Sequence, residues 1–166
     1  INKKGVVLDV DGENVTVPGI TTILEKAGVC TRSEFLVALE EVERDSKLLQ
    51  SADEIKTYHT LEGYLFPDTY SFYSYDDGKA CAKLAIERMI NQSQTKITDE
   101  MFERAEKLGY SMNEILTMAS IVQLEAGIDA KTDEAKERLQ DNMKGVASVF
   151  YNRLNDGWSL GSDVTT

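Results

Sequence analysis

The segment from Ser111 to Gly127, S-M-N-E-I-L-T-M-A-S-I-V-Q-L-E-A-G, leaves the chain little choice of local conformation. Ser111 followed by Glu114 makes a capping box, in which the serine oxygen and the glutamate side chain each satisfy a backbone N–H left open at a helix start. Gly127 supplies the stop. Between them Glu114, Met118, Ile121, Val122 and Glu125 share one face, because positions three, four and seven apart superpose at about 3.6 residues per turn. An amphipathic helix is predicted whose apolar stripe ends in a carboxylate. Held against Met118, Ile121 and Val122, Glu125 is expected to be partly desolvated, the setting in which a glutamate works as a general acid. The plain alternative is a Glu125 that only solubilises the last turn, where the helix dipole gives it no advantage.

The rest of the chain reads as helices with a minority of strand. Residues 5–18 alternate as V-V-L-D-V and V-T-V around Asp11-Gly12-Glu13-Asn14, which predicts an N-terminal hairpin. A short helix is expected from Thr21 to Ala27, ended by Gly28. Thr31 and Glu34 form a second capping box, opening a helix to about Leu49 with Phe35, Leu36, Leu39 and Val42 buried. Further helices are expected from Asp76 or Asp77 to Ile90, from Thr98 to Leu108, and from Asn142 to Asn155. Residues 128–141, mixing acidic and basic side chains, read as a solvated loop and helix start. About six helices around a small sheet give an α+β class.

Leu61-Glu62-Gly63-Tyr64-Leu65-Phe66-Pro67-Asp68-Thr69-Tyr70-Ser71-Phe72-Tyr73 is the densest aromatic run. Gly63 and Pro67 bar a regular helix, and Pro67 biases Phe66 toward an extended conformation. Rings interleaved with Asp, Thr and Tyr hydroxyls suit a sugar-binding groove. They equally suit a loop that plugs the core with aromatic side chains.

At 166 residues the chain is long enough for one domain with a real core. We expect a single domain over 1–166, with a strand-and-helix subregion at 1–50. A net charge of -11 argues against nucleic acid or an anionic membrane surface as partner. No apolar run reaches the roughly eighteen residues of a membrane span, and Ile1-Asn2-Lys3-Lys4 lacks a signal-peptide core. The first residue is not Met, so the chain reads as a mature or excised piece. Cys30 and Cys81 are too few for a disulfide framework and read as small buried residues. His59 is the single histidine and reads as a loop residue, so no metal site is expected. No dinucleotide, P-loop, zinc-protease or esterase motif occurs.

Three separated blocks point to one family. Leu61-Glu62-Gly63-Tyr64-Leu65-Phe66-Pro67-Asp68-Thr69-Tyr70, Met118-Ala119-Ser120-Ile121-Val122-Gln123-Leu124-Glu125-Ala126 and Val146-Ala147-Ser148-Val149-Phe150-Tyr151-Asn152-Arg153-Leu154 resemble, in order and spacing, the YceG-like endolytic murein transglycosylases. Residues 157–163 resemble the family's Gly-rich turn into a Ser-Asp pair. The resemblance implies a mostly helical, lysozyme-like catalytic core over 51–166 that cleaves peptidoglycan glycan strands between N-acetylmuramic acid and N-acetylglucosamine, leaving a 1,6-anhydro end. It also implies no cofactor, an extracytoplasmic location, an anchor segment absent from this chain, and cell-wall synthesis proteins as further partners.

Such a reaction needs one acid, because the sugar's own 6-hydroxyl attacks in place of the second carboxylate of an ordinary glycosidase. Glu125 fits that role. Many members read Glu-x-Glu where this chain has Gln123-Leu124-Glu125, and two helix positions apart point about 200° apart, so only one of the pair can be the acid. The resemblance nominates Glu62, Asp68, Tyr70 and Asn152 to orient the sugar or support Glu125. Asp68 and Asn152 have a plain alternative in capping or binding backbone at a helix end. The chain departs from the family at Val15-Thr16-Val17-Pro18-Gly19, which lacks a Glu, and at Ser162-Asp163-Val164-Thr165-Thr166, which lacks a Pro; it reads as a truncated domain. Two other activities stay open: a non-catalytic wall-binding or scaffold module, and a hydrolytic muramidase with a second essential carboxylate about 5–9.5 Å across the groove.

Overall fold

The computed structural model describes residues 4–9, 16–53, 59–127 and 132–162. They group into two compact units, Ile1–Asn113 and Glu114–Thr166. The division falls far from residue 50, where the sequence suggested a subregion. Helices dominate both units.

In the first unit β1 (Lys4–Asp9) pairs antiparallel with β2 (Thr69–Ser74), Lys4 opposite Ser74 and Asp9 opposite Thr69. Its helices are α1 (Val17–Lys26), α2 (Arg32–Glu40), α3 (Lys47–Ser51), α4 (Gly78–Lys96) and α5 (Asp99–Leu108). α4 is central, packing on α2 and on β2. It buries Cys81, Ala85, Ile86 and Met89, and α2 buries Phe35, Ala38 and Leu39. Cys30 and Cys81 are both buried free thiols, and burial is the main cause that pushes Cys30 up to about 12.

The expected hairpin is not formed as a local pair. Val17, placed in its second strand, opens α1, and β1 takes β2 as its partner; the expected turn at 11–14 lies outside the described residues. Thr16 caps α1 by accepting the Gly19 N–H at 3.2 Å, and Pro18 sits in the first turn, where a missing N–H costs nothing. Both carboxylate oxygens of Glu62 accept the Val17 N–H, each at 3.1 Å, which places a negative charge at the positive end of the helix. Three groups thus outweigh a short run of strand formers.

The helix expected from Thr31 to about Leu49 is two helices. The capping box of Thr31 and Glu34 is present, but α2 stops at Glu40, and Ser46 starts α3 by accepting the Leu49 N–H at 3.3 Å. The Arg44 guanidinium crosses the break, donating to the Val42 carbonyl at 2.8 Å and to Asp53 at 3.1 Å. α4 follows its expected start, with Asp77 as cap, and runs past Ile90 to Lys96. α5 has its expected bounds, with Gly109 in the left-handed region at its end.

The second unit is built from α6 (Met112–Ala126), whose first two residues belong to the first unit, and α7 (Asp133–Asn155). α6 begins after Ser111 and ends before Gly127, as its signals require. α7 is longer than expected, because most of the charged stretch is a solvated helix rather than a loop. Thr132 caps it through the Ala135 N–H at 3.2 Å, Asp133 and Glu134 suit its dipole, and Asp133–Lys136 and Asp141–Lys144 pair along it at 3.0 Å.

One buried polar group ties the loops of the first unit together. The Asn113 amide, 4% exposed, donates to the Ser51 carbonyl at 3.1 Å and to the Tyr64 hydroxyl at 2.9 Å. Asn113→Ala leaves both acceptors buried without this donor and should cost roughly 1–3 kcal/mol, read as a lower urea midpoint. An unchanged midpoint would remove this role. Burial raises the carboxyl pKa of Glu62, against the opposing Val17 N–H. A raised folded value means the native state holds the proton more tightly, so this contribution is complete below the unfolded value and is lost as pH rises through the folded one. As pH rises above the ordinary glutamate range, about 4, the Glu62→Gln variant should therefore gain stability relative to wild type. The opposite slope in paired urea titrations would reverse the assignment.

Candidate active site

In the second unit the stripe predicted on α6 is real. Met118, Ile121 and Val122 are buried together with Phe150 of α7, and Met143, Val146, Ala147, Tyr151 and Leu160 pack around them. These α7 positions recur at helical spacing, which is why the chain can bury one face of each helix against the other.

Glu125 lies one turn beyond Ile121 and Val122 and is exposed. The desolvated carboxylate expected from periodicity is not what the fold provides: the apolar stripe is covered by α7, while the Glu125 side chain is left in solvent. Glu125 is instead held by a hydrogen bond, its Oε1 accepting from the Ser162 hydroxyl. Ser162 is 3% exposed, so the serine is a fixed support for a carboxylate that faces outward.

Ser162 is placed by the turn that follows α7. The Gly157 N–H donates to the Leu154 carbonyl at 3.1 Å and the Trp158 N–H to the Arg153 carbonyl at 2.8 Å, closing the helix end. Gly157 and Gly161 sit at φ +71° and +60°, a left-handed backbone that side chains disfavour. The Arg153 guanidinium donates to the Leu160 carbonyl, and Leu160 packs on the apolar cluster. The turn is thus fixed at its start, by Arg153 and by its last leucine. Near the carboxylate, the Asn142 amide donates to the Ala126 carbonyl at 2.9 Å, satisfying one of the open carbonyls at the end of α6.

A hydroxyl is a fitting partner for a group that must exist with and without a proton. It donates to a carboxylate and accepts from a carboxylic acid, so Ser162 can hold Glu125 in either state. Asn152 is in the same unit as Glu125, exposed on α7, where its backbone carbonyl accepts the Asp156 N–H at 3.0 Å.

The other nominated residues belong to the first unit. Glu62 is half-buried and caps α1. Asp68 is exposed, one oxygen accepting its neighbour Thr69 N–H at 2.7 Å and the other the Gln92 amide at 2.6 Å. Tyr70 is 8% exposed and its hydroxyl donates to the Phe66 carbonyl at 2.6 Å; burial, then Asp68, pushes it up to about 12. Tyr64 is buried as well. Within this unit the aromatic run therefore acts as a core plug through Tyr64, Leu65 and Tyr70, and these two tyrosine rings offer no open face for a sugar.

Sequence reasoning gave no role to Ser162 or Arg153. The available signal was their position, Arg153 inside the third block and Ser162 opening the Ser-Asp pair. Among the described residues no group of three or more His, Cys, Asp or Glu is placed to hold a metal ion, and no helix is long and apolar enough to cross a membrane.

The chain is 37% identical over 107 residues to an endolytic murein transglycosylase of Bacillus subtilis, an overlap covering 64% of this chain and 26% of that protein. It is 33% identical over 109 residues to an endolytic murein transglycosylase of Streptococcus pneumoniae, covering 64% of this chain and 16% of that one. The chain thus matches only a minor part of each relative's length. A crystal structure of a YceG-like protein from Listeria monocytogenes superposes with a TM-score of 0.62 at 22% identity, covering 98% of this chain and 51% of that one. The fold is shared with it. With the model of the YceG-like family matching residues 6–166, the chain belongs to that family.

Proposed function

We propose that this protein cleaves peptidoglycan glycan strands on the extracytoplasmic side as a lytic transglycosylase, with Glu125 as the proton carrier. The observation that carries the reading is an exposed carboxylate at the end of α6 held by the buried Ser162 hydroxyl. The names of the curated relatives support the substrate class.

The proposed chemistry uses one carboxyl group. Protonated Glu125 gives its proton to the glycosidic oxygen as the bond from the muramic acid C1 to that oxygen breaks, freeing the leaving sugar as an alcohol. The 6-hydroxyl oxygen of the same muramic acid then bonds to C1, and its proton passes to the Glu125 carboxylate. No water is consumed. The acid is restored in its starting state, and the product carries a 1,6-anhydro ring. Ser162 switches between donor and acceptor as the proton leaves and returns. Among the described residues the polar partner of Glu125 is a hydroxyl, which suits a one-acid reaction.

The four supporting residues divide by exposure. Asn152 is exposed in the same unit as Glu125 and suited to meet sugar hydroxyls, while Asp68 is exposed on the first unit with both oxygens already engaged. Glu62 and Tyr70 act through the framework, capping α1 and fixing the entry to β2.

Purified protein incubated with intact glycan strands should release anhydro-ended fragments, identified by mass as one water lighter than hydrolytic products. Glu125→Gln should lower their formation by at least about 10²-fold. Reducing ends in their place would identify a hydrolase, and products that persist in Glu125→Gln would remove Glu125 from the mechanism. Ser162→Ala should lower kcat by about tenfold with little change in KM, and Ser162→Thr should recover much of it. A loss confined to KM would make Ser162 a binding residue instead.

A further inference from the structure

Trp158 is the single tryptophan of the chain and, at 69% exposed, the most open of its large apolar side chains among the described residues. An indole left in water forgoes a large gain from burial, and aromatic side chains bury about 150–250 Å² when covered. This one is not displayed on a loose loop. Its own N–H is bonded to the Arg153 carbonyl, glycines in the left-handed region stand at 157 and 161, and Arg153 holds the Leu160 carbonyl. The same turn ends at Ser162, the residue that grips Glu125. Trp158 and Ser162 are four positions apart, so the two Cα atoms are at most about 14 Å apart.

We propose that Trp158 is a carbohydrate-stacking platform, presenting its indole face to a pyranose ring of the strand whose neighbouring bond Glu125 cleaves. This rests on the transglycosylase reading and adds a substrate-binding residue to it. A rigidly mounted aromatic ring meets the C–H face of a sugar with little loss of conformational entropy, because the backbone carrying it is already fixed. The turn carries both Trp158 and Ser162, so a glycan strand bound at Glu125 would have the indole within reach. A lipid surface, the other common partner of an exposed tryptophan, is disfavoured by a net charge of -11.

The tryptophan is its own reporter. Peptide-free glycan oligomers prepared from peptidoglycan, titrated into the Glu125→Gln protein so that nothing is turned over, should shift Trp158 fluorescence to shorter wavelength and saturate. In that background Trp158→Ala should weaken oligomer binding by about tenfold, measured calorimetrically, and Trp158→Phe by less. In the otherwise wild-type chain Trp158→Ala should raise KM while leaving kcat nearly unchanged. Circular dichroism of the variants should match the parent, since an exposed side chain is removed.

A fluorescence spectrum indifferent to glycan, or unchanged binding in Trp158→Ala, overturns the platform. A shift produced by anionic phospholipid vesicles, or by raising protein concentration alone, with none produced by glycan, also overturns it in favour of a membrane or a second copy. The two readings fail separately. Anhydro ends that depend on Glu125 but not on Trp158 dispose of the platform alone. A glycan-dependent shift without anhydro ends disposes of the reaction and leaves the carbohydrate contact.

Discussion

The burial of Met118, Ile121 and Val122 against Phe150 is the contact on which the second unit depends. Among the described residues of that unit α6 and α7 are the two helices, and two helices alone bury little area. The cluster does more than hold them together. It fixes α7 through Met143, Val146 and Phe150, and at the far end of α7 it takes in Leu160, which pins the turn carrying Ser162. An apolar contact thereby sets the position of a polar one. A core substitution at Phe150 would reach the Glu125 carboxylate through Leu160 and Ser162 without touching it.

The carboxylate itself is controlled by hydrogen bonding rather than by a dry pocket. Desolvation of an acid demands a closed cavity, and the Glu125 side chain is exposed. A hydroxyl from a buried residue supplies direction where burial does not, and the Asn142 amide quiets the neighbouring carbonyl of Ala126. The first unit treats its polar groups similarly. Glu62, Asp68, Tyr70 and Asn113 each reach backbone or a side chain beyond their own neighbours, so three residues that read as sugar-binding candidates, Glu62, Asp68 and Tyr70, hold the frame.

Much of this was legible in the sequence where the signal is local. The bounds of α5 and α6 followed from glycine stops and polar starts, and the stripe on α6 followed from period alone. The failures share a physical cause. Val17 looked like a strand because its neighbours alternate, and only Glu62, distant in sequence, completes the cap that makes it helical. The charged stretch ahead of Asn142 looked like a loop because composition cannot distinguish a solvated helix from solvated coil unless the capping threonine is weighed. The exposure of Glu125 depended on how far α7 extends over α6, which no window of one helix contains. Ser162 was hidden because a single serine carries no signal until its partner is known.

Gly78 carries a consequence for how this sequence can drift. A Cβ at that position would press on the Glu34 carboxylate, and that carboxylate is already committed, accepting the Thr31 N–H at 2.7 Å and the Thr31 hydroxyl at 2.8 Å at the start of α2. A side chain could move in only if Glu34 let go of its cap. Positions 34 and 78, on two helices that pack together, are thereby linked: a side chain at 78 displaces the end of Glu34 from its cap, and a smaller residue at 34 makes room for one.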